Sequence, residues 1–202
     1  MIYLKNLSRE VARYKRQHGQ YWLDEMVEQF QKKERQRIAI GGSVLAILRQ
    51  DEFGLELIVP GLNIVTDKGD KYYAQSAAAE SPTDDFDGAA SGMRHGSAAT
   101  GPTKSDNDVT TFLSGSPHAL DATYEKTADG DADNTGAAVD TVTWRFSYTT
   151  AEGNNNGIQE GAICDNRTTP TGALTHFLFA ASFNKTSSDT LKVFVNHNML
   201  GV

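Results

Sequence analysis

Carboxylates stand at every second position in Asp129-Gly130-Asp131-Ala132-Asp133-Asn134, and Asp140 follows at the twelfth position of that span. Oxygen ligands on alternate residues of a tight loop are how a protein wraps a hard cation such as calcium. Asp129, Asp131, Asp133 and Asp140 are therefore the metal-ligand candidates, and calcium is the one cofactor the chain suggests. The spacing departs from an EF-hand loop in three ways. Asn134 stands where a sharp turn needs Gly, Asp140 stands where a bidentate Glu closes the shell, and the flanks read as strand. A mobile acidic loop is the preferred reading.

Other chemistry-bearing side chains are scattered. His18, His95, His118, His176 and His197 show no paired metal spacing, although His176 and His197 fall in consecutive predicted strands and could face one another. Gly115-Ser116-Pro117-His118 lacks the G-x-S-x-G spacing and strand–turn–helix setting of a hydrolase elbow. The Gly-rich stretch 153–157 has no phosphate-binding Lys and opens no helix. Asp84-Asp85 and Asp106/Asp108 lie among Ser, Gly and Asn, where solvation explains them. Single Cys164 excludes an internal disulfide and an all-Cys zinc site, and its apolar flanks make it a small core residue. Glu160 is harder to place: an acid in an apolar strand needs a partner, with Arg94, Arg145 and Arg167 as candidates. No nucleophile, base and orienting group converge, and no enzyme is expected.

The elements that would position these groups are mainly strands. In Val142-Thr143-Trp144-Arg145-Phe146-Ser147-Tyr148-Thr149 the apolar residues share one face and the polar ones the other. Three further strands follow over 158–164, 174–183 and 191–198, separated by Gly/Asn/Ser/Thr turns. Upstream, 44–48 and 55–59 form a hairpin about 51–54, Pro60-Gly61 marks a turn, and 62–65 makes a further strand. A helix is expected over 67–79, a short strand at 93–96, a brief helical turn containing Phe112 and Leu113 that 105–108 would cap, and extended chain over 118–126. The reading is mainly β: an antiparallel β-sandwich over residues 43–202 with one short helix.

Residues 1–42 read as a helical arm. Val11, Tyr14, His18, Tyr21/Trp22, Met26 and Phe30 recur every three or four residues over 7–37, behind Ser8 as N-cap. This stripe suits either the chain's own domain or a neighbouring subunit. Tyr, Trp, Met and Arg favour interface cores, so Tyr14, Tyr21, Trp22, Met26, Phe30 and Arg37 are the anchoring candidates.

Charge divides the chain into two parts. Net charge is −7, but residues 1–60 carry ten basic and eight acidic side chains, whereas 61–202 carry nine and eighteen. An acidic body argues against nucleic acid as partner, because phosphate contacts need clustered Lys and Arg. No run approaches the roughly 18 apolar residues of a membrane-spanning helix, and the first residues lack the pattern of a secretory signal.

One segment after another in the C-terminal half resembles a recurrent ending of tailed-bacteriophage virion proteins. The Gly/Asn turn at 153–157 leads into Ile158-Gln159-Glu160-Gly161-Ala162-Ile163, then the Phe-rich 177–183, then Lys185-Thr186-Ser187-Ser188-Asp189-Thr190-Leu191-Lys192-Val193. Upstream, 94–106 is similar to the Gly/Thr-rich loop that precedes a "D-x-x-L" segment, loosely filled here by 109–113. The resemblance covers residues 93–199. It implies a non-enzymatic virion structural protein, assembled in the host cytoplasm as a homo-oligomer that contacts other virion proteins. A capsid decoration, cement or head-fibre subunit is the first expectation. A neck, tail or baseplate protein is the alternative within that class, and a host-surface or carbohydrate-binding module is the rival outside it.

Overall fold

The computed structural model describes residues 41–50, 55–127 and 141–198. The strands are β1 (Gly41–Gln50), β2 (Leu55–Val65), β3 (Gly92–Gly96), β4 (Lys126–Thr127), β5 (Thr141–Tyr148), β6 (Asn155–Cys164), β7 (Ala173–Lys185) and β8 (Asp189–Asn198). One helix, α1 (Asp67–Ala77), lies between β2 and β3. All eight strands join one sheet, in the order β3-β6-β7-β2-β1-β8-β5-β4, and every pairing is antiparallel.

The mainly β, antiparallel character agrees with the sequence reading, but the layering differs. One continuous hydrogen-bonded sheet curls into a half-barrel, in place of the two separate sheets of a sandwich. The curl brings the two ends of the sheet face to face: His95 of β3 stacks against Tyr148 of β5, with ring centroids 5.0 Å apart. Between these ends runs a strap, residues 112–121. It bridges to β3 through Gly96–Phe112 and Met93–His118. It then reaches β5, where the Asp121 amide donates to the Arg145 carbonyl (3.0 Å) and the Ser147 amide donates to Asp121 Oδ1 (2.9 Å).

The concave face holds the core. Val44, Ala46 and Leu48 of β1, Leu191, Val193 and Val195 of β8, and Trp144, Phe146 and Tyr148 of β5 pack with Phe177, Phe179, Ile158 and Met93. On β5 the expected alternation is obeyed from Trp144 to Tyr148, with Arg145 and Ser147 on the outer face, but Thr143 is buried, its hydroxyl donating to Asn196 Oδ1 (2.9 Å), and Val142 is half-buried.

Thr66 caps α1, accepting from the Gly69 amide at 3.1 Å, while Asp67 and Asp70 complement the positive end of the helix dipole. Gly69 lets the first turn sit against β7, because a Cβ there would stand 2.1 Å from the Leu174 carbonyl oxygen. Tyr72 packs on Phe86 and Trp144, so α1 lies over one end of the half-barrel.

Two local expectations are corrected. Pro60-Gly61 is no turn but the middle of β2, opposite Leu45 and Val44. Proline is tolerated there because β2 pairs with β7 only over Gly61–Val65, so Pro60 sits where that ladder ends. No helical turn forms around Phe112 and Leu113, because Phe112 bridges to Gly96, Leu113 donates to the His95 carbonyl, and the expected caps Asp106 and Asp108 are drawn to His176 and Arg94 on the sheet. Between His118 and Lys126 the extended chain survives only as the Met93–His118 bridge and β4. The arm expected over 1–42 falls almost wholly outside the described residues.

Candidate functional site

The most concentrated group of ionisable side chains among the described residues is a chain of three on the outer face of β6 and β7, the buried Glu160 and His176 and the half-buried Asp106. Glu160 is fully enclosed. Its Oε1 accepts from the backbone N–H groups of Ala98 (3.1 Å) and Thr111 (2.8 Å), and its Oε2 from Thr110 (2.9 Å). His176 Nε2 lies 2.9 Å from the same Oε2, and His176 Nδ1 lies 2.6 Å from Asp106 Oδ2. Asp106 in turn accepts from the Thr103 amide (2.7 Å) and hydroxyl (2.6 Å). Loop 97–111 is thereby pinned to the sheet. Gly96 makes the approach possible, since a Cβ there would meet Glu160 Oε1 at 2.2 Å.

The electrostatics follow from these contacts. Burial alone would raise the Glu160 carboxyl, but His176 and the three backbone amides outweigh it and hold it down to about 2. Burial opposes charge on His176, yet two carboxylates raise its pKa above the ordinary histidine value. Asp106 is lowered, the cost of burial being exceeded by Thr103 and His176. The result is an imidazolium held between two carboxylates.

A second ion pair tightens the same loop. Arg94 meets Asp108 with a fork, Nε to Oδ1 at 2.7 Å and Nη2 to Oδ2 at 3.0 Å. Its Nη1 donates to the carbonyls of Arg167 (2.7 Å) and Thr168 (3.3 Å), and the guanidinium lies 3.8 Å from the centre of the Phe112 ring. Beneath it Val109 packs on Ala162, Cys164 and Ala173, small residues that leave room for the loop. Burial pushes the Cys164 thiol up, so this cysteine is inert filling, as its apolar flanks suggest.

A third group sits beneath α1. Trp144 Nε1 donates to the Tyr73 hydroxyl (3.0 Å), and that hydroxyl lies 2.5 Å from His197 Nδ1. Tyr72 reaches Glu125 at 3.4 Å. Burial, with Asp87 adding to it, pushes the Glu125 carboxyl up to about 7.

Several expectations change here. The partner of Glu160 is His176, not Arg94, Arg145 or Arg167; those three are engaged with Asp108, Asp121 and the Ala89 and Ser91 carbonyls respectively. Asp106 and Asp108 are not simply solvated but close the two ion pairs. His176 and His197 do not face one another, because β2 and β1 stand between their strands. The anchoring candidates Tyr14, Tyr21, Trp22, Met26, Phe30 and Arg37, and the calcium candidates Asp129, Asp131, Asp133 and Asp140, lie outside the described residues. Among the described residues no three His, Cys, Asp or Glu side chains are grouped to hold a metal ion, and no helix is long and apolar enough to cross a membrane.

The signal for this site in the sequence is thin: an acid within an apolar strand, and Ala162, Cys164 and Ala173 as small residues on an outer face that a loop must cover. Chemically the arrangement is a clasp. Both oxygens of Glu160 and both nitrogens of His176 are spent on protein partners. Comparisons with protein-family models, curated proteins and solved structures give no match to this chain.

Proposed function

We propose that the chain is a non-enzymatic structural subunit of a tailed-bacteriophage virion, a capsid decoration or cement protein or part of a head fibre. The observation that supports this reading most is the clasp. The Gly/Thr-rich loop that resembles the phage proteins is the segment tied down by Glu160, His176 and Asp106, and the ionisable groups there serve rigidity. A part used in many copies on a particle needs loops of fixed shape, and charge-assisted hydrogen bonds to backbone amides supply that.

In this reading the arm, residues 1–42, anchors the β-body to other virion proteins through Tyr14, Tyr21, Trp22, Met26, Phe30 and Arg37, and the acidic body faces outward or meets further copies. The test is composition. Particles purified on a density gradient should carry the chain at high copy number, read by quantitative mass spectrometry against the major capsid protein. A copy number matching a ring component would move the chain to the neck or tail. Its absence from particles would reject the virion reading. Deletion of residues 1–40 should leave the body folded by circular dichroism and remove it from particles; normal incorporation would reject the anchoring role.

A further inference from the structure

The place where the half-barrel closes contains an enclosed imidazole with nothing to bind. His95 of β3 points into the core opposite Gly161 of β6, and neither ring nitrogen has a hydrogen-bond partner. Its neighbours bring no negative charge. His118 comes from the strap and stacks on Tyr148 with centroids 4.4 Å apart, and Lys185 approaches from the end of β7. Tyr148 of β5 presents its ring, and its hydroxyl is spent on the Ser116 carbonyl at 3.1 Å. Gly161 offers no side chain. Arg94 and Glu160 are engaged on the opposite face, and Glu152, in the turn after β5, approaches His118 at 3.9 Å.

We infer that the strap is an acid-operated latch: a proton taken up by His95 obliges residues 112–121 to lift from β3 and β5. An imidazolium at that position would have no acceptor, would face Lys185 and His118, and would lie in the apolar core. Water is the partner left to it, and water enters when the strap parts from the sheet. The bonds given up to β3 are Leu113 N–H to the His95 carbonyl (3.0 Å), the reciprocal pair between Met93 and His118 (2.8 and 3.0 Å), and the Ser116 hydroxyl's contacts with the His95 N–H (3.0 Å) and carbonyl (3.3 Å). Those given up to β5 are the Tyr148 hydroxyl bond and the Asp121 contacts with Arg145 and Ser147.

Burial first, then His118 and Lys185, lowers the His95 pKa from 6.5 to about 3. A depressed folded-state value means that the closed form holds its full advantage above pH 6.5 and loses it as pH falls from 6.5 toward 3. Each pH unit in that window raises the opening constant roughly tenfold. His197, lowered to about 3 by burial, acts in the same direction, and Glu125, raised to about 7, acts in the opposite one. Both belong to the cluster beneath α1, where His197 meets Tyr73 and Glu125 meets Tyr72.

The test is native-state hydrogen exchange of the full chain between about pH 6.5 and 4.5, corrected for the intrinsic rates. The amides of Leu113 and His118 should lose roughly a hundredfold in protection relative to those of β1 and β8. His95→Phe, which keeps a ring against Tyr148, should abolish that relative loss. Parallel loss of protection in strap and central strands would overturn the inference, as would an unchanged pH response in His95→Phe. The wild-type comparison decides by itself if that variant does not fold.

Discussion

Glu160 and His176 lie on neighbouring strands but not opposite one another. Glu160 pairs with Leu178 and His176 with Ala162, so their 2.9 Å contact runs diagonally across the ladder. A diagonal pair on one face is within reach of long side chains, and here it aims the imidazole outward at Asp106 while the carboxylate gathers the loop amides. The strands thus position one charge each, and the loop supplies the rest.

Removing the carboxylate should cost more than a surface ion pair. Glu160→Ala leaves the amides of Ala98, Thr110 and Thr111 and the imidazole of His176 without their acceptor. Breaking one partner of a buried pair typically costs about 3–5 kcal/mol. Urea unfolding should show that loss, and a cycle with His176→Leu should show strong coupling between the two positions.

Gly96→Ala should disturb the same clasp without touching a charge. The added methyl would meet Glu160 Oε1 at 2.2 Å and force the carboxylate or the backbone aside. Overpacking of this kind costs about 1–3 kcal/mol. The amides of Thr110 and Thr111 should shift most in an NMR spectrum, and unchanged shifts there would contradict the geometry.

Arg94→Lys should weaken the loop although charge is kept. A lysine cannot reproduce the fork on Asp108, the bond to the Arg167 carbonyl and the stacking over Phe112 together. A loss of about 1–3 kcal/mol is expected, read from the urea midpoint and from faster proteolysis within 97–111.

The clasp has a pH optimum set by its two ends. The raised His176 pKa contributes stability that is full below 6.5 and is lost as pH rises through the folded-state value. The lowered Glu160 pKa contributes stability that is full above 4.5 and is lost as pH falls toward about 2. Protection of the Ala98, Thr110 and Thr111 amides should therefore be greatest between 4.5 and 6.5. In His176→Leu the decline on the alkaline side should vanish.

Tyr73→Phe should separate the cluster beneath α1 from the clasp. It removes the acceptor of Trp144 Nε1 and the contact to His197, leaving buried polar groups without partners at a cost of about 1–3 kcal/mol. Trp144 emission should change while protection of the loop 97–111 amides stays the same.

Much of the local structure was readable before the fold was known. Period-two alternation placed β5 and the buried face of Trp144, Phe146 and Tyr148, α1 falls within the helix expected over 67–79, and the runs either side of 51–54 announced the β1–β2 pair. What alternation cannot carry is the order of strands. Nothing in 41–65 says that this hairpin wedges between β7 and β8, because pairing partners are chosen by shape across the whole sheet. Pro60-Gly61 misled for a similar reason: a turn signal is local, whereas the point at which β7 stops pairing is not. Asp106 and Asp108 sit in polar surroundings that look like a solvated loop, and only the diagonal meeting of Glu160 with His176 gives them work. Glu160 was visible as an anomaly without a visible answer.

The wedge also orders assembly in time. β1 and β2 are made early, yet β1 finds its second neighbour only when β8 arrives, and β2 finds its own only with β7. Until then the hairpin bears two raw flanks that any extended chain could join. Synthesis of this protein thus holds its middle open until its last strands emerge, and crowding of nascent copies is the moment of greatest danger.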